Sequence, residues 1–284
     1  MKILLGIEGG IGKGIAATGA VRTAHELGHQ VDVITAWPNI WQGNPYVNKV
    51  WDWNLSEYLF EKIKEYDKII FDDPYRQSKF LLGETNLTGI WNYMLNEIVE
   101  PVKPEVYLTM AETLNVKNLL SGVTKPIMVV QTNGGTDEGY AWTRDIPLPE
   151  AVEMLNPFAE EYEIIHLRAN GQLELQGIKH AADLDIRQAL VILQMSEKRL
   201  LIDSVYQHAA AAFELPSVVL WAMTEPEKFG HKIHTNIKCN EPELKNTDRF
   251  EMLFRGLDNS LDKCPFSPTQ KIFDTELIID KLKS

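Results

Sequence analysis

A glycine-rich segment near the start of the chain contains residue types that bind phosphate or act in catalysis. It runs over 8–14 as Glu-Gly-Gly-Ile-Gly-Lys-Gly, after a short apolar stretch and before a helical pattern. Backbone amides at such a strand-to-helix turn attract anions, and glycines let a ligand approach the chain. A turn that serves packing alone is the alternative. The candidates for an acceptor- or phosphate-binding loop are Gly9, Gly10 and Gly12, and the candidate catalytic residues are Glu8 and Lys13.

This segment departs from both common nucleotide-binding motifs. A P-loop has the pattern Gly-x4-Gly-Lys-Ser/Thr. Counting from Gly12, Ile7 stands at its first glycine and Gly14 at its hydroxyl-bearing residue. A dinucleotide fingerprint would need a glycine where Ile15 stands. An ATP- or NAD-dependent enzyme that uses this loop is therefore a disfavoured alternative.

Two segments in the second half of the chain carry further candidates. The first is Asn-Gly-Gly at 133–135, which follows an apolar run and precedes Arg144. The second runs over 202–216 as Ile-Asp-Ser-Val-Tyr-Gln-His-Ala-Ala-Ala-Ala-Phe-Glu-Leu-Pro, and an apolar run then leads to Thr-Glu-Pro at 224–226. Amides, a guanidinium and a carboxylate are the groups that hold phosphate oxygens and hydroxyls. These residue types predict a ligand site.

The second half of the chain resembles the donor site of glycosyltransferase family 9, the heptosyltransferase-like family. The family's pattern there is Asp-Ser-Gly-x-x-His-x-Ala-Ala-Ala, then a proline, an apolar strand and a Thr-x-Pro turn. Phe229-Gly230 is also typical of the segment that follows. The matching residues are Asp203, Ser204, His208, Ala210, Pro216, Thr224 and Pro226.

The first half is similar to the same family. Residues 12–22, with Ala-Thr at 17–18, resemble its opening helix, and Gly-Asn-Pro-Tyr-Val at 43–47 resembles a segment that precedes a strand. Residues 142–147, Trp-Thr-Arg-Asp-Ile-Pro, lie where the family has a basic residue before a proline. The resemblance covers most of residues 1–240.

The resemblance implies a fold and an activity. The fold class is α/β of the GT-B type, with two Rossmann-like doubly wound parallel-sheet lobes facing a central cleft. The activity is that of an inverting, metal-independent glycosyltransferase, which moves a sugar from a nucleotide-sugar donor to a hydroxyl acceptor and needs no cofactor. The implied partners are a nucleotide sugar and a glycan or glycolipid acceptor, a bacterial surface glycan or lipopolysaccharide.

Each donor-site residue has a role in this interpretation. Amides at the 133–135 loop and at the start of the helix after 202 bind phosphate oxygens, and Arg144 adds a charged fork. Asp203 holds donor hydroxyls, and His208 orients a phosphate or a sugar hydroxyl. The alternatives are structural, since His208 can pack against the sheet and Asp203 can cap the helix that follows. The candidate donor-binding residues are Asn133, Gly134, Gly135, Arg144, Asp203, Ser204, His208 and Thr224.

The chain departs from the family where the catalytic base is expected. The family's acidic residue in the first loop falls on Lys13, its helix-opening proline on Gly19, and its glycine after Asp-Ser on Val205. Transfer to a hydroxyl needs a group that takes the hydroxyl proton. Glu8 is therefore the substitute candidate for the base, and the carboxylates at 72–73, at a strand end, are another option.

A metal site is not expected. His231 and His234 with Cys239 and Cys264 form no CxxC spacing, because the cysteines lie 25 residues apart. Packing or surface roles explain these four residues. Two cysteines are also too few for a disulfide scaffold, which favours a reduced, cytoplasmic location.

Strand-like and helix-like segments alternate along the chain, and this alternation positions the candidate residues. It predicts right-handed βαβ units and parallel sheets. Ligands in such sheets bind beyond the carboxyl ends of the strands, here in the loops after Ile7, Thr132 and Ile202. The first helix is expected over 15–27.

The alternating pattern restarts after the linker-like Lys-Pro at 125–126. We therefore expect two domains: 1–124 as the acceptor-side Rossmann-like lobe and 125–284 as the nucleotide-sugar-binding lobe. The closing helix over 274–283 can pack back on the first lobe.

Composition and charge narrow the choice of function. The 284 residues are 44% hydrophobic and 24% charged, as in globular proteins, and no apolar stretch is long enough to span a membrane. The formal net charge of −12 disfavours a nucleic-acid surface. A glycosyltransferase that modifies a hydroxymethylated DNA base is therefore an alternative that the charge opposes. A degenerate nucleotide-sugar-binding protein, which lost its base at Lys13, is another.

Overall fold

A computed structural model describes residues 1–54, 59–134, 140–180, 184–241, 264–267 and 269–284. The chain forms two compact units: Met1–Met110 with Ala211–Phe213, and Ala111–Ala210 with Glu214–Ser284. Each unit has one parallel sheet with helices, so the predicted class of two parallel-sheet α/β lobes is confirmed. Within the described residues, no helix combines the length and apolar character that crossing a bilayer requires.

Unit 1 is built on a four-stranded sheet. Its strands are β1 (Lys2–Ile7), β2 (Gln30–Thr35), β3 (Val47–Asp52) and β4 (Lys68–Ile70). Their order is β3-β2-β1-β4, and all pairings are parallel. The chain first adds strands on one side of β1 and then places β4 on the other side. The strand order therefore reverses between β1 and β4, and such a switch point opens a crevice at the carboxyl ends of the two strands.

Helix packing fixes the position of the first loop of unit 1. Helix α1 (Ile11–Glu26) begins four residues earlier than expected, because Gly10 forms its N-cap and the glycines at 12 and 14 are accommodated within the helix. The later helices of this unit are α2 (Leu59–Lys62), α3 (Ser78–Leu81) and α4 (Leu87–Asn96). Helix α1 packs on α4, and the chain after α4 passes so close to α1 that a Cβ at Gly19 would lie 2.2 Å from the Lys103 carbonyl oxygen.

Unit 2 is built on a six-stranded sheet. Helix α5 (Met110–Leu119) precedes it. The order is β10-β9-β8-β5-β6-β7, again with parallel pairings, so the switch point lies between β5 and β8. The strands are β5 (Ile127–Val130), β6 (Glu163–His166), β7 (Lys179–His180), β8 (Lys198–Ile202), β9 (Val218–Trp221) and β10 (Thr235–Lys238).

Unit 2 has a continuous apolar core that includes Met128, Leu200 and Leu220. Five described helices follow β5, and the first and the last of them contribute side chains to that core. They are α6 (Leu148–Leu155), α7 (Ile186–Met195), α8 (Val205–Ala212), α9 (Pro226–Phe229) and α10 (Thr275–Lys283). The closing helix α10 packs on α6, β8 and β9. The buried Glu150 carboxylate of α6 accepts the amides of Ile272 and Phe273, both at 2.9 Å, and so fixes the segment that leads into α10.

Candidate functional site

The glycine-bearing loop after β5 is closed by a buried carboxylate. Asp145, 1% exposed, accepts the Gly134 amide at 2.8 Å, the Ala141 amide at 2.8 Å and the Asn133 side-chain amide at 3.1 Å. Burial raises the pKa of Asp145, and the two backbone amides oppose that shift. The Gly134 amide is therefore engaged within the loop, and Asn133 shapes the loop through Asp145. Gly135 lies outside the described residues.

Arg144 and Asp203 face each other at the switch point of unit 2. Asp203 directly follows β8, and its Oδ2 atom lies 3.8 Å from Arg144 Nε. The Arg144 side chain runs over Gly134, where a Cβ would meet Arg144 Cδ at 3.4 Å. The arginine therefore lies alongside Gly134 as it approaches the end of β8.

The side chains of Arg144 and Asp203 differ in solvent exposure. The Arg144 side chain is 43% exposed, whereas that of Asp203 is 8% exposed. Asp203 Oδ2 is buried and has no hydrogen-bond partner among the described residues. A buried acceptor without a donor is costly and is normally satisfied by a ligand or water. The pair therefore offers an accessible guanidinium beside an unsatisfied carboxylate oxygen.

Ser204 and Thr224 complete the same edge of the sheet. Ser204 is half-buried between β8 and α8, and Thr224 follows β9. The Met223 amide donates to the Thr143 carbonyl at 3.1 Å, which holds the loop after β9 against the segment that carries Arg144. Thr224 Oγ1 is buried and, within the described part of the chain, has no hydrogen-bond partner.

His208 is engaged inside unit 2. Gln207 Nε2 donates to the Phe229 carbonyl and lies 3.0 Å from His208 Nε2, which makes that ring nitrogen the acceptor. His208 Nδ1 then donates to His231 Nε2 at 2.9 Å, and His234 Nε2 donates to the Gln207 carbonyl at 2.8 Å. Both ring nitrogens of His208 are thus used, and this arrangement matches the packed histidine considered from the sequence.

Burial keeps the three histidines neutral. It places the pKa of His208 well below its usual value, assisted by His231, His234 and Arg144. It also lowers the pKa of His231 to about 3 and that of His234 to about 4. The rings of His208 and His231 meet edge to face at 5.1 Å, as packed aromatic rings do.

The first loop of unit 1 is open. Glu8, Gly9 and Gly10 are exposed, and Gly9 has a φ of +93°, a conformation that favours glycine. The Gly9 carbonyl accepts the Trp37 indole N–H at 3.0 Å. Gly10 is the N-cap of α1 and supplies no side-chain cap, so the first amides of the helix face the loop. Gly12 is half-buried in the first turn of α1.

Lys13 crosses the switch point of unit 1. Its Nζ atom lies 3.3 Å from Asp73 Oδ1, beyond the end of β4, and 4.4 Å from the centroid of the Tyr75 ring. Asp72 points elsewhere, since it lines a cavity of about 460 Å³ with Lys68 and Tyr93 along β4. The carboxylate pair predicted from the sequence is therefore split, and only Asp73 belongs to the first-loop cluster.

Apart from Gly135, which lies outside the described residues, and His208, which packs with His231, the predicted site residues lie in two clusters, one at each switch point. Two residues that the sequence did not single out in these roles are Asp145, which closes the second-lobe loop, and Asp73 as the partner of Lys13. The signal for Asp145 was its place beside Arg144 in the quoted 142–147 segment. The partnership of Lys13 with Asp73 spans 60 residues and has no local signal.

The residues considered for a metal site are not arranged around one point. Cys239 is buried, and its Sγ atom donates to the Ala222 carbonyl at 3.0 Å, whereas Cys264 is exposed. His231 and His234 make the contacts given above. Over the described ranges, no three His, Cys, Asp or Glu side chains are grouped so that they could hold a metal ion.

Two doubly wound parallel-sheet lobes, each with polar groups at its switch point, are the architecture of the GT-B class. No protein-family model matches the chain, and no curated protein sequence does. Solved structures do match, at 10–14% identity, and they show that the fold is similar to that of heptosyltransferases and of a family 9 glycosyltransferase.

Three of these structures illustrate the likeness. A family 9 glycosyltransferase from Veillonella parvula matches with a TM-score of 0.72 and 10% identity, over 98% of this chain and 95% of that one. The ADP-heptose lipopolysaccharide heptosyltransferase II of E. coli matches with a TM-score of 0.67 and 14% identity, over 92% and 98%. E. coli heptosyltransferase WaaC with ADP matches with a TM-score of 0.58 and 12% identity, over 89% of this chain and 98% of that one.

Proposed function

We propose that this protein is a glycosyltransferase that moves a sugar, with inversion, from a nucleotide-sugar donor to a hydroxyl acceptor. The observation that carries the proposal is the pairing of exposed Arg144 with buried, unsatisfied Asp203 at the switch point of unit 2. A nucleotide sugar combines an anionic diphosphate with hydroxyl donors, and these two side chains complement both. The heptosyltransferase-like fold supports the same assignment.

The roles of the donor-site residues follow from charge. The departing nucleoside diphosphate gains negative charge as the bond to the sugar breaks. The Arg144 guanidinium neutralises part of that charge, and the first amides of α8 face the same side of the sheet edge. Asp203 Oδ2 accepts a hydroxyl of the donor and so satisfies its own buried lone pairs. In this proposal these groups support departure of the diphosphate without a metal ion.

The acceptor in this proposal is a hydroxyl of a bacterial surface glycan or lipopolysaccharide, bound by the first loop of unit 1. The heptosyltransferase II of E. coli, which has this fold, is named for lipopolysaccharide. Exposed Gly9 and Gly10 leave room for a sugar to approach the backbone. Trp37, 36% exposed, stands beside that loop through its bond to Gly9, and an indole face suits a sugar ring.

The test is a thermal-shift screen against UDP-, ADP-, GDP- and CMP-sugars. A ligand that binds only the folded protein raises its melting temperature. We expect one nucleotide class to do so, and Arg144→Ala and Asp203→Ala each to abolish the shift. Lys179→Ala is the matched control, because it removes an exposed cation that pairs with Glu163 on the far side of the same sheet.

The outcomes separate the proposal from its rivals. No shift with any nucleotide sugar would reject a donor site. A shift that persists in both variants would place the donor elsewhere. A shift without release of nucleoside diphosphate from the bound donor, in the presence of lipopolysaccharide-core oligosaccharides, would identify a binding protein rather than a transferase.

A further inference from the structure

We propose that Asp73, and not Glu8, is the general base that takes the proton from the acceptor hydroxyl. This inference rests on the proposed transferase function and adds the residue that activates its acceptor. It arises from the contact between Lys13 and Asp73 at the switch point of unit 1.

Asp73 has one oriented oxygen and one available oxygen. Oδ1 accepts Lys13 Nζ at 3.3 Å and the Tyr75 amide at 3.0 Å. Oδ2 makes no hydrogen bond to any residue in the described ranges, and the side chain is 35% exposed. A general base needs a carboxylate that is held in place and still reachable by the proton. Asp73 meets both conditions.

Glu8 meets only one of these conditions. It is exposed, and across the described part of the chain it makes no hydrogen bond or ion pair. An exposed glutamate without contacts samples many rotamers, so each productive orientation costs side-chain entropy. Asp73 has already lost that freedom through Lys13 and Tyr75.

The place of Asp73 in the sheet agrees with this role. It follows β4, which lies next to β1 although the two strands are far apart in sequence. Side chains at the carboxyl ends of these strands border the crevice where ligands of such sheets bind. Lys13 reaches Asp73 from α1 across that crevice and is a positioning residue, supported by the Tyr75 ring beneath its ammonium group.

The reaction step balances with the groups present. The Asp73 carboxylate removes the hydroxyl proton of the acceptor and becomes a carboxylic acid. The acceptor oxygen forms a bond to the anomeric carbon from the side opposite the leaving group. The bond between that carbon and the phosphate oxygen breaks, and its electron pair leaves with the nucleoside diphosphate. The carboxylic acid then returns its proton to water.

Asp73 also has a structural role, and the test must distinguish that role from catalysis. Its side chain caps the short turn at Pro74–Arg76 through the Tyr75 amide. Asn preserves this acceptor, because asparagine is as good a cap as aspartate. Asp73→Asn therefore removes the base and keeps the cap, so folding and activity are tested independently.

The experiment measures nucleoside diphosphate release from the donor found in the thermal-shift screen, with lipopolysaccharide-core oligosaccharides as acceptor, from pH 4 to 9. We expect Asp73→Asn to lower the rate ~100-fold or more and to remove the decline at acidic pH, with an unchanged donor-induced thermal shift. Lys13→Met removes the cation that orients the base and should lower the rate, with an unchanged donor-induced thermal shift. Glu84→Gln, which disrupts an exposed carboxylate–lysine pair in unit 1, is the control.

Azide gives a second signature. It is a nucleophile that needs no deprotonation, so it should restore diphosphate release in Asp73→Asn and yield the glycosyl azide. Retention of the acidic decline in Asp73→Asn, or its loss in Glu8→Gln instead, would overturn the assignment. A protein that binds the donor but never releases diphosphate would instead refute the transferase function on which the assignment rests. Failure of all nucleotide sugars to bind would refute the transferase function itself.

Discussion

The two switch points have the same topology and opposite construction. In unit 2 the loop after the central strand β5 is closed, because the Asn133 side-chain amide and the Gly134 backbone amide both donate to the Asp145 carboxylate. In unit 1 the equivalent loop is open: Gly9 and Gly10 are exposed and the start of α1 has no side-chain cap.

This difference suits two different ligands. In the proposed donor site, Asp145 anchors the described ends of the unit 2 loop at Asn133–Gly134 and at Ala141, and such anchoring suits the recognition of a constant diphosphate. An open loop of small residues leaves room for ligands of varied shape. In the proposed site, the reactive side chain then comes from another segment of the chain. Lys13 and Asp73 provide such a contact between α1 and the end of β4. The same sheet topology thus carries a loop anchored by a buried carboxylate in one unit and a loop open to solvent in the other, depending on where the polar partners lie.

The largest expected effect comes from opening the closed loop. Asp145→Ala leaves two backbone amides and the Asn133 side chain without their acceptor. Each buried donor without a partner costs about 1–3 kcal/mol, so we expect a loss of about 3 kcal/mol or more in the free energy of unfolding. Chemical denaturation measures it. Asp185→Ala, which removes an exposed N-cap with one amide, calibrates the scale at about 1 kcal/mol. A loss no larger than that control would contradict the closed-loop description.

A second test concerns the close packing that positions the open loop. Gly19→Ala places a methyl group against the Lys103 carbonyl, and overpacking of this kind costs about 1–3 kcal/mol. Gly14→Ala is the matched control, because Gly14 is also buried in α1 and a Cβ there meets nothing within 4 Å. That variant should be neutral or gain up to about 1 kcal/mol from helix propensity. Equal stabilities of the two variants would mean that the approach of residues 102–103 does not constrain α1.

A third test uses pH to weaken unit 2 selectively. In the unfolded chain a histidine binds a proton near pH 6.5, whereas burial lowers the pKa of His231 to about 3 and that of His234 to about 4. Protonation therefore favours unfolding: this stability is complete above pH 6.5 and is lost as the pH falls. At pH 5.5 the loss is about 1.4 kcal/mol for each histidine.

The measurement compares urea unfolding at pH 7.5 and 5.5. His234→Gln should reduce the loss on acidification, and His25→Gln, which replaces an exposed histidine of unit 1, should leave it unchanged. The same acid sensitivity in wild type and His234→Gln would exclude the buried histidine cluster as its source.

The smallest effect is expected for a variant that changes the shape of the cationic group at position 144 but keeps its charge. Arg144→Lys keeps a cation near Asp203 but loses the planar fork that binds two phosphate oxygens together. We expect the donor to bind about tenfold more weakly, which is about 1.4 kcal/mol. Calorimetric titration with the donor measures it. Affinity equal to wild type would show that charge alone is recognised at the proposed donor site.

Much of the fold follows from local patterns in the sequence. The apolar run of β1 and the glycines after it predict the first strand and loop, and the restart of the pattern after residue 126 predicts the second sheet. Strand β10 has no such signal, because only Ile237 among its four residues is buried. Helix α5 buries only Val116 and has little amphipathic character for the same reason.

The site was predictable in part. Residue types in the segments after β5 and β8 made Arg144 and Asp203 candidates, because parallel topology gathers the carboxyl ends of the strands at one edge of the sheet. The hydrogen-bond partners on which the role of each residue depends could not be predicted from the sequence. Whether His208 faces a ligand depends on His231, 23 residues away, and the role of Asp73 depends on Lys13, 60 residues away. Such contacts depend on the packed structure and leave no periodic trace in the chain.

The parallel pairing of every described strand also bears on how the protein forms. Neighbouring parallel strands cannot be joined by a tight turn, so no sheet contact here closes a short loop. Strand β1 precedes β4 in the chain, and one edge of β1 remains unpaired until β4 forms its hydrogen bonds with it. Pairings between such distant segments are slow to find. Refolding from denaturant should therefore be slow and prone to aggregation through uncovered strand edges, whereas vectorial synthesis lets the first sheet assemble once residue 70 has emerged from the ribosome.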